Sequence, residues 1–172
     1  MNKVKVKKFI KKKVSKTELK EVFKIAKKIE DFLNKEETSK KISKLNVKNV
    51  VSQKIQKVIT DFVVPELGFK SEKEDLFKKY ETNKLRPDFF LKVRETGILL
   101  EVEKGKTITN NMDLLDLWKC HICSEANHLF LIIPQRDEAK GLNVFNNVSK
   151  RMSSFFRKEN YLNINSLVIF GY

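Results

Sequence analysis

Glycine, proline, cysteine and long apolar runs are all scarce in this sequence, and each scarcity removes a class of protein. Five glycines and three prolines leave little room for a phosphate-cradling glycine loop, and neither a Walker nor a dinucleotide-binding fingerprint is present. Two cysteines, Cys120 and Cys123, lie three apart in a predicted helix. They fit reduced thiols better than a disulfide scaffold. Histidine is as rare: "KCHIC" gathers Cys120, His121 and Cys123, but His128 is the only other histidine. A four-ligand zinc site is therefore not the reading; buried thiols and an ordinary histidine are. No apolar stretch approaches the roughly 18 residues of a membrane helix. The opening segment "MNKVKVKKFIKKKVSK" is basic without a continuous apolar stretch or a small-residue cleavage site, so it does not read as a secretory signal. The expectation is a cytoplasmic protein with no membrane partner.

What the chain does have is a core and a charge. Its 172 residues are 41% hydrophobic, grouped periodically, which suits one domain with a real interior. Lys and Arg number 36 against 22 Asp and Glu, a formal charge of +14. Such an excess favours a polyanionic partner through its field and through counterion release, and DNA is the expected partner. Nearly all the surplus is lysine, so a compositional bias is the plainer alternative. Residues 1–16 form a lysine-rich arm that reads as an edge strand or a basic tail, and the better of two DNA-contact candidates. Removing residues 1–14 should then weaken DNA binding and flatten its salt dependence. The other candidate, "SKRMSSFFRK", reads as an amphipathic helix with a basic outer face, or as a grip on a strand by charge and stacking.

Periodicity predicts a helix over residues 17–35, opened by a capping box of Ser15 and Glu18. A polar break follows, then a second helix over residues 46–63, ended by Val64-Pro65. "ELGFKSEKEDLFKKYE" reads as one or two ill-defined strands. "PDFFLKV" and "GILLEVEK" read as a hairpin turned at "RETG". A helix is expected in "TNNMDLLDLWKCHICSEA", with Met112, Leu115, Trp118 (or Lys119) and Ile122 along one side and Trp118 in the core. "HLFLIIP" suits a strand buried on both faces, followed by a helix around residues 142–159 and a closing strand "SLVIFGY". The fold class is α/β: a mixed central sheet flanked by helices, with a basic arm and N-terminal helix (residues 1–45) ahead of a core (residues 46–172).

Three acids stand in this sheet-forming stretch. Glu101 and Glu103 are two apart on one strand and share a face. With a two-residue loop at Glu95-Thr96, Arg94 pairs with Gly97 and Asp88 falls opposite Glu103, whereas a one-residue slip would send it to the other face. Three converging carboxylates repel one another unless one binds a proton or a cation intervenes. Mg²⁺ or Mn²⁺ prefers such oxygen ligands, completes its shell with phosphate oxygens and activates water. Lysines that gather a polyanion around acids that hold a metal have the polarity nucleic-acid cleavage requires. The plainer alternative is a solvated hairpin face.

Pro87-Asp88 and, after a spacer, Glu101-Val102-Glu103 resemble the motif of the PD-(D/E)xK nuclease superfamily, which includes many restriction endonucleases and junction resolvases. The resemblance covers about residues 46–134. It implies a restriction-endonuclease-like fold and a metal-dependent hydrolysis of DNA phosphodiesters, most simply by an endonuclease. Asp88 and Glu101 become metal ligands, and Glu103 orients or deprotonates the attacking water or binds a second metal. Glu103 stands where the family has lysine, as in the Glu-x-Glu variants of some restriction endonucleases. This leaves Glu103, Lys104 and Lys106 as alternatives for the general base. An acid or glutamine on the first core helix assists the site in the family, and Gln53 is the residue here. Lys119 and Asp116 follow the acidic strand, where approach to the site and a solvated helix face explain them equally well. A homodimer would suit duplex cleavage. The competing readings are a non-catalytic nucleic-acid-binding protein and an interaction domain whose lysines meet an acidic protein.

Overall fold

The computed structural model describes residues 3–11, 14–47, 50–71, 76–77, 85–105 and 107–172. The chain is an α/β protein, with a six-stranded mixed sheet and five helices among the described residues. Strands β1 (Lys5–Ile10), β2 (Lys70–Ser71), β3 (Phe89–Val93), β4 (Thr96–Val102), β5 (His128–Ile133) and β6 (Ser166–Gly171) lie in the order β1-β6-β5-β4-β3-β2. The inner strands β4, β5 and β6 are mutually parallel; β1 runs antiparallel to β6, and β2, β3 and β4 alternate in direction.

Every residue of β4, β5 and β6 is buried, as continuous apolar runs in a covered parallel sheet require. Alternation along each strand feeds two separate cores. Ile98, Leu100, Phe130, Ile132, Val168 and Phe170 face one side. There they meet α1 (Lys16–Asn34), α2 (Glu36–Leu45) and α3 (Ser52–Leu67). Leu99, Leu129, Leu131, Leu167 and Ile169 face the other, against α4 (Met112–Ile122) and α5 (Val144–Phe155). Each such side chain contributes about 1.5–3 kcal/mol on leaving water, so these alternating faces dominate the fold's stability.

The N-terminal arm is the edge strand β1, paired with β6 along all six of its residues. Three expectations fail locally. Ser15 precedes α1 but makes no side-chain cap. Glu18 turns inward instead, its Oε1 accepting from Asn165 Nδ2 at 2.9 Å and lying 2.8 Å from His128 Nε2. The polar break holds the ten-residue helix α2, whose Thr38 and Ile42 are buried; two apolar-facing turns suffice when a neighbour covers them. Pro65 does not end α3. It sits in the last turn, and Gly68, in the left-handed region at φ 76°, terminates the helix with its N–H on the Val64 carbonyl.

Candidate functional site

The hairpin turn is Arg94-Glu95, not Glu95-Thr96: Val93 pairs with Thr96 and Phe89 with Leu100. One residue beyond, Asp88 comes opposite Glu101 rather than Glu103. The expected register is off by two, and an even offset preserves the face. Asp88 and Glu101 therefore meet on the α4 side of the sheet, with Glu103 directly after β4. The Asp88 N–H donates to Glu101 Oε2 at 3.1 Å, and the Val102 N–H donates to Asp88 Oδ2 at 2.8 Å. The Tyr172 hydroxyl donates to the Glu103 carbonyl at 2.9 Å and holds the backbone where the strand leaves the sheet. Among the described residues no group bonds the Glu103 carboxyl itself.

The neighbouring helices complete the site. Gln56 of α3 donates from Nε2 to Asp88 Oδ1 at 2.8 Å. Gln53, one turn earlier, is exposed. It lines a groove of about 850 Å³ with Val47, Val50, Lys104, Arg136 and Lys140. Lys119 of α4 places Nζ 2.6 Å from Glu101 Oε1 and 2.8 Å from Asp116 Oδ1, although neither oxygen has a partner with hydrogen-bond geometry. The contact is an ion pair by distance rather than a directed bond. The same ammonium donates to the Arg86 carbonyl at 3.4 Å. Asp113, on the same side of α4, meets Arg151 of α5 at 2.9 Å. Lys104 points away, as strand alternation dictates. Its Nζ bonds the carbonyls of Val47 and Val50, fixing the connection between α2 and α3. Lys106 lies outside the described residues.

Helix α4 thus reverses its expected burial. Asp113, Asp116 and Lys119 are buried with Leu117 and Cys120, while Leu115 is 40% exposed and Trp118, expected in the core, 55%. The signal available in sequence was the spacing of Asp113, Asp116 and Lys119, three residues apart in each step, on the helix that follows the acidic strand.

Burial sets the protonation of this cluster. It raises the Asp88 pKa, partly opposed by the Val102 N–H and Lys119. It raises Glu101 well above 4.5, reinforced by the charge of Asp116 and opposed by Lys119. Asp116 is raised to about 6 by burial, against the pull of Lys119. Glu103 is raised to about 8 by burial and by the charges of Asp116 and Asp88. Burial works against the charge of Lys119, but Glu101 and Asp116 outweigh it and raise its pKa. Four carboxyl groups thus share one ammonium, and free acid oxygens remain on Asp113 and Asp116.

That donor set is all oxygen and suits a hard divalent cation in chemistry and charge. Its present orientation does not enclose one: among the described residues, no three acid, histidine or cysteine side chains are grouped as metal ligands. Cys120 and Cys123 are buried and form no disulfide, and His121 Nδ1 accepts from the Asn163 N–H.

A second polar chain mimics a catalytic triad. Ser166 Oγ lies 2.8 Å from His128 Nδ1, and His128 Nε2 lies 2.8 Å from Glu18. Ser166 and His128 are wholly buried at the starts of β6 and β5, the opposite end of the sheet from Glu101. The chain fastens α1 to the sheet and offers no nucleophile to a substrate.

No helix of the described residues is long and apolar enough to cross a membrane. No model of a known protein family matches the chain, and no curated protein matches it in sequence.

Proposed function

We propose that the protein is a metal-dependent nuclease of restriction-endonuclease-like fold that hydrolyses DNA phosphodiester bonds, acting as an endonuclease. The observation that carries the reading is the contact of Asp88 with Glu101 at the open end of the β3–β4 hairpin, with Glu103 two residues further along and within the field of Asp88 and Asp116, and with Gln56 and Lys119 arriving from helices on opposite faces. The overall charge of +14 attracts the phosphate backbone that such a site would cut.

Asp88, Glu101 and Glu103 would hold Mg²⁺ or Mn²⁺, which supplies polarisation of the phosphodiester and a water of lowered pKa. Gln56 and the Val102 N–H fix both oxygens of Asp88, so its orientation is set before substrate arrives. Lys119 carries the positive charge that the motif position occupied by Glu103 lacks. From the Glu101 side it is placed to stabilise charge developing on a phosphoryl oxygen. Glu103, whose carboxyl has no hydrogen-bond partner among the described residues, is the carboxyl we assign to take a proton from water, and the bonds of Lys104 to Val47 and Val50 weigh against Lys104 in that role.

A second reading is a non-catalytic nucleic-acid-binding protein. Lys119 favours it, because an internal ammonium against Glu101 and Asp116 neutralises acids that a metal would otherwise need to claim. The two readings separate in a cleavage assay on supercoiled and single-stranded DNA with Mg²⁺, Mn²⁺ or EDTA. Metal-dependent cutting that disappears in Asp88→Ala, with metal-free DNA binding retained, is the expected result. Binding without cutting under every condition, or full activity in Asp88→Ala, would overturn the nuclease.

A further inference from the structure

Helix α4 presents Lys119 to the acids and, on its adjoining side, Leu115 and Trp118 to solvent. Trp118 is not alone there. Its ring centroid is 5.5 Å from that of His121, which is 5.9 Å from that of Tyr161. Tyr161 is 87% exposed. Folding alone does not explain two aromatic rings of this size left in water, since burying either would bring a large apolar gain.

The arrangement is also held in place. The Asn163 N–H donates to His121 Nδ1 at 3.0 Å, and Asn163 Nδ2 donates to the His121 carbonyl at 3.3 Å. These bonds tie the segment bearing Tyr161 to α4 and set the row of rings before any ligand arrives. Cations flank the row. Lys11 Nζ donates to the Asn160 carbonyl at 2.8 Å, next to Tyr161. Arg157 and Lys158 are exposed just ahead of it, with Glu159 the one acid in that run. Exposed rings beside cations match a single-stranded nucleic acid, whose bases stack and whose phosphates pair with lysine and arginine. A stacked duplex offers no free base face, and an acidic peptide would use the cations but leave the rings idle.

We infer that Trp118 and Tyr161 form a stacking platform for unpaired bases, with Lys11, Arg157 and Lys158 on the backbone, so that this face takes single-stranded rather than duplex nucleic acid. The inference shares with the proposed function only the premise that the partner is a nucleic acid. It extends that reading by naming unpaired nucleic acid as the substrate class.

Trp118 is the sole tryptophan of the chain, so its emission reports on the platform directly. The full-length protein is titrated in EDTA with oligo(dT), oligo(rU), a blunt hairpin duplex and poly-glutamate. Affinity is followed by anisotropy of labelled probe and stacking by tryptophan emission. Either single strand should quench the emission, and Trp118→Ala should bind it roughly 10- to 100-fold more weakly. Trp118→Phe should recover most of that loss, and Tyr161→Ala should show a smaller one. The platform would be overturned by saturation by oligonucleotide without quenching, equal affinity of Trp118→Ala, no single-strand binding at all, or equal quenching by duplex or poly-glutamate. Quenching in a protein that cuts nothing would leave the platform standing and remove the hydrolase, while cutting that ignores Trp118→Ala would do the reverse.

Discussion

Replacing Lys119 with methionine keeps an unbranched side chain, one atom shorter, and removes its charge from an environment where that side chain is 7% exposed. Its ammonium sits 2.6 Å from Glu101 and 2.8 Å from Asp116. Removing one partner of a buried ion pair costs about 3–5 kcal/mol when the other stays charged. The stranded carboxylate has another course, which is to take a proton. For a carboxyl of ordinary pKa 4.5, at about 1.36 kcal/mol per pH unit, this costs about 3.4 kcal/mol at pH 7 and about 0.7 kcal/mol at pH 5. Wild type already bears part of this cost, because burial raises Glu101 and Asp116 even beside Lys119, so the variant should lose at most about 3 kcal/mol at pH 7 and at most about 1 kcal/mol at pH 5. The direction follows from linkage. In the variant the carboxyl's folded pKa lies further above 4.5, so the stability it contributes is complete below that value and is lost as pH rises through the folded one. Urea unfolding of wild type and Lys119→Met at the two pH values measures this, with unchanged slope m as the check that the unfolded state is comparable. Equal losses at both pH values, or a greater loss at pH 5 than at pH 7, would refute the assignment of Lys119 as the counter-charge of a buried carboxylate.

Two further outcomes rest on other parts of the molecule. Burial depresses the pKa of His128 below 6.5, and Glu18 opposes this only in part. The unfolded imidazole then takes a proton that the folded one refuses, so stability is intact above about 6.5 and falls as pH drops through the depressed value. Thermal unfolding from pH 8 to pH 5 should show a decline that is weaker in His128→Gln; identical slopes would dismiss it. Lys5, Lys7 and Lys8 are exposed on β1, where truncation would strip β6 of its partner strand. Changing the three to glutamine tests their charge without that damage. It should reduce the slope of log affinity for duplex DNA against log salt by up to about 2.7, at about 0.9 per phosphate contact. An unchanged slope would leave these lysines only the role of guarding a sheet edge against strand addition.

The strands were legible because their burial is uniform. "HLFLIIP" and "SLVIFGY" became β5 and β6, as apolar runs between breakers should in a covered parallel sheet. The hairpin was legible in kind but not in register. The turn lies at Arg94-Glu95, with Arg94 at φ 52°, a conformation that costs an ordinary L-residue and that composition does not announce. Arg94 is held there by two hydrogen bonds to Glu21 of α1, at 2.8 and 2.6 Å, a tertiary contact invisible in the local sequence. The three acids nevertheless fell on the expected face, because the error was two residues and side chains alternate with a period of two. Gln56 in place of Gln53 has a similar cause. Both lie on α3, and the helix's rotation against the sheet decides which one reaches Asp88.

Helix α4 resisted reading for a reason that bears on function. Local patterning assumes that apolar residues go in and charges go out, and α4 breaks the rule in both directions. Asp113, Asp116 and Lys119 are buried, and Leu115 and Trp118 are exposed. For stability alone, each half of that inversion is unfavourable. Buried carboxylates lose hydration that one lysine and one arginine restore only in part, and exposed aromatic surface gains nothing. A helix selected only to cover the sheet would place apolar residues where Asp113, Asp116 and Lys119 now lie. It is held instead by Lys119 on Glu101 and by Arg151 on Asp113. These pairs connect it to the acidic strand on one side and to α5 on the other. The inversion has a use only if both faces meet something: the charges a reacting group beside Asp88 and Glu101, the rings a partner in solvent. The two tests that matter most therefore lie one residue apart, at Trp118 and Lys119. They are independent, because the first reads binding without metal and the second reads stability without nucleic acid.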